Sequence, residues 1–235
     1  MRHPAFPAQR GGVKAVTWWG RAWLRTVSEL AYDEADVAAG WRLARSGAVG
    51  AIEVDAGRLL AAVRPGAGGR ARSVGAPVVD PDELVACSVL VPALDAADRE
   101  ALVEVIAASS GRIAALLGGD LPADVAEHAE EAGVSLLPDE FDCSCTCGAW
   151  VQPCAHVLGV LAQVAWLVDA DPFVLLALRG LPRDHLLAEL ADVAGRAGRS
   201  GVGDGITGEA SEDEIDLDVA GEAAERAARL LDDLA

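Results

Sequence analysis

The stretch Cys145-Thr146-Cys147-Gly148-Ala149-Trp150-Val151-Gln152-Pro153-Cys154-Ala155-His156 places four metal-ligand side chains in twelve residues. The pattern is C-x-C, six intervening residues, then C-x-H, and it takes three of the chain's five cysteines and one of its four histidines. Three thiolates and one imidazole match the donor preference of a tetrahedral Zn²⁺ ion. Four protein ligands close the coordination sphere and leave no position for a catalytic water. The expected cofactor is therefore one structural zinc per chain. Cys143 lies two residues upstream and makes a second C-x-C pair with Cys145, so Cys143/Cys145 is an alternative to Cys145/Cys147 as the first two ligands.

The spacing also constrains the backbone. Residues two apart on a regular helix point to nearly opposite sides, so neither ligand pair fits inside a helix. A hairpin-like arm is expected for Cys145-Thr146-Cys147. Pro153 to His156 is expected to begin a helix with Cys154 at or near its cap, where the positive end of the helix dipole favours a thiolate.

Outward from this loop, the apolar run after His156 predicts a helix to about Val168, with Leu158, Leu161 and Ala165 on one side. Asp169 to Pro172 caps it and restarts a second helix through Leu178, and Gly180-Leu181-Pro182 begins a third, to about Leu190. Upstream, Val16, Trp19, Trp23, Val27 and Leu30 recur at helical spacing. Trp41–Arg45, Ala48–Val54 and Arg58–Arg64, separated by Ser46-Gly47 and Asp55-Ala56-Gly57, read as an antiparallel meander. Val74–Val79 and Cys87–Val91 read as further strands. The middle turns helical, with Asp95 as an N-cap before Leu102, Val105 and Ile106, then short helices over Gly111–Leu117 and Leu121–Ala132.

These elements predict an α+β fold: an N-terminal helix with a small antiparallel sheet, a helical middle, a zinc-nucleated helical module and a disordered acidic tail. The expected domains are 1–138 (α+β), 139–192 (zinc loop and following helices) and 193–235 (acidic tail, with a possible terminal helix over Val219–Leu234).

C-x-C-x(n)-C-x-H, as opposed to the commoner C-x-x-C knuckle, resembles the SWIM zinc finger family. Trp150 and Pro153 inside the loop, the stretch DADPFVLLALRGLPRDHL from Asp169 to Leu186, and Trp18-Trp19-Gly20-Arg21 are similar to bacterial SWIM-containing proteins. The resemblance implies the ligand set Cys145, Cys147, Cys154 and His156, counted back from Trp150 and Pro153-Cys154, with Cys143 as a spare thiol. It further implies protein or nucleic-acid binding, in the company of a Swi/Snf-type helicase-like ATPase. A pure protein–protein adaptor is the alternative.

Charge bears on that choice. The net charge is −18, yet residues 1–80 carry eleven basic against seven acidic side chains, and residues 81–142 only two against fourteen. An acidic whole is a poor non-specific polyanion binder, so a nucleic-acid surface must lie in the first third or on the nearly neutral zinc module. Arg42, Arg45, Arg58, Arg64, Arg70 and Arg72 are the candidates for it. Trp18, Trp19, Trp23 and Trp41 could stack bases, although packing of the first helix on the sheet explains them better.

No apolar run is long enough for a membrane span. The N-terminus shows no secretory signal, and an odd, clustered cysteine set favours reduced thiols and metal over disulfides. The expected compartment is the cytoplasm. Gly203-Asp204-Gly205-Ile206-Thr207-Gly208 matches G-x-G-x-x-G by letter but follows no strand and runs into acid, and no Walker A sequence exists. His128 reads as a surface residue and Cys87 as plain core. With every strong donor committed to the metal, no catalytic residue and no small-molecule substrate are expected.

Overall fold

Alternating burial along Arg58–Val63 and Val85–Leu90 sets the centre of a five-stranded antiparallel sheet in the computed structural model, which describes residues 1–65 and 83–200, with side chains to 196. The strands are β1 (Arg2–His3), β2 (Val49–Asp55), β3 (Arg58–Val63), β4 (Val85–Leu90) and β5 (Asp142–Cys145), in spatial order β1-β2-β3-β4-β5. Ala56 and Gly57, at φ 43° and 80°, close β2 onto β3 in a two-residue turn whose positive φ values suit the twist of the hairpin. A Cβ on Gly57 would sit 2.8 Å from the Val91 carbonyl, so only glycine fits there.

One face of the sheet, carrying Leu59, Ala61, Val63, Val85, Cys87 and Val89, is buried. The opposite face carries Arg58, Leu60 and Ala62 and is exposed. The helices are α1 (Trp18–Glu29), α2 (Glu34–Ser46), α3 (Ala96–Ala107), α4 (Ser110–Leu117), α5 (Ala123–Glu131), α6 (Ala155–Ala170), α7 (Pro172–Leu178) and α8 (Arg183–Ser200). The predicted α+β class is the observed one.

Helix α6 is the axis of the structure. It is apolar on nearly all sides and buried from Ala155 to Ala165, which marks a helix enclosed by other elements rather than one lying on a surface. Helices α1 and α2 and the buried sheet face pack around it. Its one internal amide, Gln163, donates to the Ala44 carbonyl of α2 at 2.8 Å. Gly40 of α2 and Gly159 of α6 face each other so closely that a Cβ on Gly40 would lie 2.7 Å from Leu158 Cβ. The missing side chains let the two backbones meet.

Helix α1 is fixed by an unusual cap. Thr17 is its N-cap, and Asp169, at the far end of α6, accepts from the Val16 and Thr17 amides at 3.0 and 2.7 Å and from the Thr17 hydroxyl at 2.6 Å. A Cβ on Gly20 would fall 2.6 Å from Asp169 Oδ1, which explains the glycine in Trp18-Trp19-Gly20-Arg21.

Three expectations are corrected. Trp41–Arg45 is not the first strand of the meander but the last part of α2. Asp33 caps that helix, accepting from the Ala35 amide, Gly47 closes it at φ 75°, and Asp36, Ala39, Gly40, Leu43 and Ala44 bury one helical face. Cys145-Thr146-Cys147 is not a self-contained hairpin arm: β5 pairs with β4, with Cys145 opposite Cys87 and Cys143 opposite Val89. Residues 195–200, expected to be disordered, belong to α8. The strand expected over Val74–Val79, the G-x-G-x-x-G stretch and the helix over Val219–Leu234 lie outside the described residues. Met1–Arg196 forms one compact unit, and its core runs without a break from Trp19 and Trp23 to the zinc-loop residues Cys147 and Cys154.

Candidate metal centre

Each donor is placed by a different device. Cys145 ends β5, and the next residue is clamped twice to β4: the Thr146 amide donates to the Ala86 carbonyl at 3.0 Å, and the Thr146 hydroxyl accepts from the Ala86 amide at 2.9 Å. The chain then turns, so Cys147 swings back over the strand end, with Gly148 at φ 70° continuing the turn. Gln152 holds the far side of the loop, its side-chain carbonyl accepting from the Cys154 amide at 3.1 Å. Cys154 is the N-cap of α6, as the spacing predicted, and its Sγ makes no capping bond. His156 lies in the first turn.

The four donors converge. Cys145, Cys147, Cys154 and His156 offer ligand atoms that all lie within 4.8 Å of one another. Cys147 Sγ is 3.6 Å from Cys154 Sγ, and Cys154 Sγ is 3.8 Å from His156 Nδ1. Zinc–sulfur bonds of about 2.3 Å at tetrahedral angles require donor separations of about 3.8 Å. The two measured separations match the edge length of such a tetrahedron. Cys147, Cys154 and His156 are buried, Cys145 is half-buried, and His156 Nε2 has no hydrogen-bond partner. The ring nitrogen that faces Cys154 is the other one, Nδ1.

The sulfurs cannot all ionise without a cation. Hydrogen bonds from Cys145 and then Cys154, with a further one from His156, hold the Cys147 thiol far below its ordinary value despite burial. Cys145 is pushed up, chiefly because it serves Cys147 as a donor, and Cys154 is pushed up by Cys145 and Cys147 and by burial. These shifts favour the proton staying on Cys145 and Cys154 and leaving Cys147. A divalent ion would replace those two protons.

Cys143 shares the inward face of β5 but sits two rungs along the ladder, opposite Val89, outside the group of converging donors. Burial, with the neighbouring Asp142 charge, pushes its thiol up to about 11. Cys87, read from sequence as plain core, stands 3.6 Å from Cys145 Sγ. Its position follows only from the β4–β5 register, which no local pattern encodes.

The tryptophans of α1 are accounted for by packing. Trp18 Nε1 donates to the Leu121 carbonyl at 2.7 Å, Trp19 Nε1 to Val168 at 2.7 Å and Trp23 Nε1 to Leu161 at 3.0 Å. Two of the three thus bind α1 to α6 rather than to the sheet. Among the arginines of the expected phosphate-contacting face, Arg45 is engaged with the Gly11 and Trp41 carbonyls. Arg42, Arg58 and Arg64 are exposed, the first on α2 and the others at the two ends of β3, and Arg70 and Arg72 lie outside the described residues. His128 neighbours an Arg112–Asp124 ion pair of 2.8 Å rather than other metal donors. Among the described residues, no helix is long and apolar enough to cross a membrane.

The SWIM zinc finger family model matches residues 130–165, which span β5, the loop and the first two-thirds of α6. An uncharacterized protein of Mycobacterium tuberculosis, Rv2102, is 30% identical over 183 residues. That alignment covers 77% of this chain but only 61% of the relative's length. No solved structure matches the chain. The chain therefore carries a SWIM zinc finger, a structural module and not a catalytic one, whose clustered donors fit one structural zinc ion.

Proposed function

Taking a SWIM finger built into a larger α+β unit as the premise, we propose that the chain is a non-enzymatic recognition module in which zinc shapes a loop that docks onto a protein partner. Trp150 carries this reading. It is 87% exposed in the loop between the two ligand pairs, while Cys147, Cys154 and His156 are buried. Hydrating a whole indole is unfavourable by roughly 2 kcal/mol, and the tryptophans of α1 avoid that by packing and hydrogen bonding. Aromatic anchors held on a rigid support are typical centres of protein interfaces. The metal is the support: with about 10 kcal/mol of binding energy realised as order, it fixes a loop that has little apolar content of its own.

The net charge of −18 supports a protein rather than a polyanion as the main partner. Family resemblance supports a helicase-like ATPase as the partner class, in the cytoplasm where thiols stay reduced. A second reading, DNA or RNA bound on the exposed sheet face, is favoured by Arg58 and Arg64 sharing that face.

The test compares wild type with Trp150→Ala and Arg58→Ala/Arg64→Ala. Crosslinked partners from the source cell are measured alongside gel shifts at two salt concentrations. The proposal expects Trp150→Ala to keep its zinc and lose the crosslinked protein, with little dependence on salt. A shift that falls steeply with salt and vanishes in the arginine variant would instead establish the nucleic-acid reading.

A further inference from the structure

The position of Cys87 has a consequence beyond packing. Thr146 and Ala86 form a hydrogen-bonded pair across β4 and β5, so the next rung, Cys145 opposite Cys87, is a non-hydrogen-bonded pair. At such rungs the two Cα atoms approach to about 4.5 Å and the side chains lean together. That separation lies within the range a disulfide spans without backbone movement, roughly 4.4–6.8 Å. The sulfurs are already 3.6 Å apart, with the Cys87 thiol donating to Cys145 Sγ. As a residue Cys145 is half-buried, whereas Cys147 and Cys154 are buried.

We propose that Cys87 and Cys145 form a redox switch on the zinc finger: oxidation by a hydroperoxide joins them in a disulfide and releases the ion. The Cys145 thiolate attacks a peroxide oxygen, the O–O bond breaks, and the leaving hydroxide takes up a proton as water, which leaves Cys145 as a sulfenic acid. Cys87 sulfur then attacks Cys145 Sγ. The S–O bond breaks, and the hydroxyl leaves with the Cys87 proton as a second water. Two electrons have passed from the two sulfurs to the peroxide. A disulfide sulfur is no longer a thiolate donor, so the site keeps three ligands of four. Loop order depends on the fourth, and the switch thereby connects oxidant to the display of Trp150. Thiol reductant and zinc restore the starting state.

The inference rests on zinc being held by this cluster, which metal analysis before oxidation establishes separately. Zinc-loaded full-length protein is treated with hydrogen peroxide, zinc release is followed with a chromogenic chelator, and disulfides are mapped by non-reducing digestion and mass spectrometry. The expected result is a Cys87–Cys145 crosslink formed in proportion to zinc released, and recovery of zinc binding on reduction. In Cys87→Ala, which removes no ligand, reduction should recover less than about half of the zinc, because a sulfenic acid without a nearby thiol proceeds to sulfinic acid. A wild-type map in which zinc leaves while Cys87 stays a free thiol, or in which Cys147–Cys154 is the only crosslink, overturns the proposal. That reading needs no variant to fold.

Discussion

Replacing Gly40 with alanine adds one methyl group at the point where α2 meets the zinc-bearing helix. Its Cβ would stand 2.7 Å from Leu158 Cβ, 3.0 Å from the Gly159 nitrogen and 3.1 Å from the Ala155 carbonyl. All three obstacles are backbone or Cβ atoms, so no rotamer change relieves them. Relaxed carbon–carbon contact needs at least about 3.5 Å, so α2 must withdraw by about 0.8 Å, enough to forfeit a quarter or more of each pairwise attraction across the seam. Overpacking of this kind costs about 1–3 kcal/mol. Against it, alanine is the better helix former by about 1 kcal/mol. Because no rotamer relieves the contacts, the upper part of the overpacking range applies, about 2–3 kcal/mol, and the net expectation is a loss of about 1–2 kcal/mol. Since Ala155, Leu158 and Gly159 lie in the same first turns of α6 as His156, just after Cys154, zinc affinity should fall with it.

Urea denaturation of the zinc-loaded chain measures the loss as a lower midpoint at unchanged slope. Gly111→Ala in α4 is the matched control. There the nearest obstacle is the Ser109 hydroxyl at 3.4 Å, so the same substitution should be neutral or stabilising by up to about 1 kcal/mol. A Gly40→Ala protein as stable as wild type would refute the direct backbone contact and the argument that the N-terminal helices hold the finger in place.

Three further outcomes are expected. Zinc binding near neutral pH should release about two protons, because Cys145 and Cys154 are pushed up and Cys147 held down in the metal-free cluster; affinity should then rise about a hundredfold per pH unit, as calorimetry in buffers of different ionisation enthalpy would show. The carboxyl of Asp169 is raised by burial, but the Thr17 hydroxyl and the Thr17 and Val16 amides outweigh that and hold it below the ordinary range. Its stabilisation is therefore present above about pH 4 and lost as pH falls through the lower folded value, so the stability gap between wild type and Asp169→Asn should close on acidification, read from melting temperatures at about pH 7 and pH 3. Trp150→Ala should change thermal stability by less than about 0.5 kcal/mol, since the ring is almost fully exposed, which a melting curve checks.

Elements carried by local chemistry were legible in advance. The Asp95 cap with the helix behind it, the restart at Asp171-Pro172, and Cys154 as the cap of α6 are each fixed by side chains within a few positions of one another. Trp41–Arg45 was misread because its residues suit a strand as well as a helix. What decided it lay at the ends, in the Asp33 cap and the left-handed Gly47, and in the partner that Gly40 and Leu43 pack on. Helix α6 shows the limit from the other side. Its apolar run predicts a helix but not what surrounds it, because a helix buried on every side has no stripe to announce a direction.

The sequence by itself narrowed the donors to Cys145, Cys154, His156 and one of Cys143 and Cys147. Bonding to a small ion is short-ranged, and ligands inside one twelve-residue window close on it through their own loop, so residue type and spacing locate the site. Tertiary structure alone decided that Cys145 is also a strand residue on the sheet begun by the N-terminal half, that Cys87 stands beside it, and that Cys143 does not. Register between strands more than fifty residues apart is set by which faces find a common core, and no neighbour along the chain carries that information.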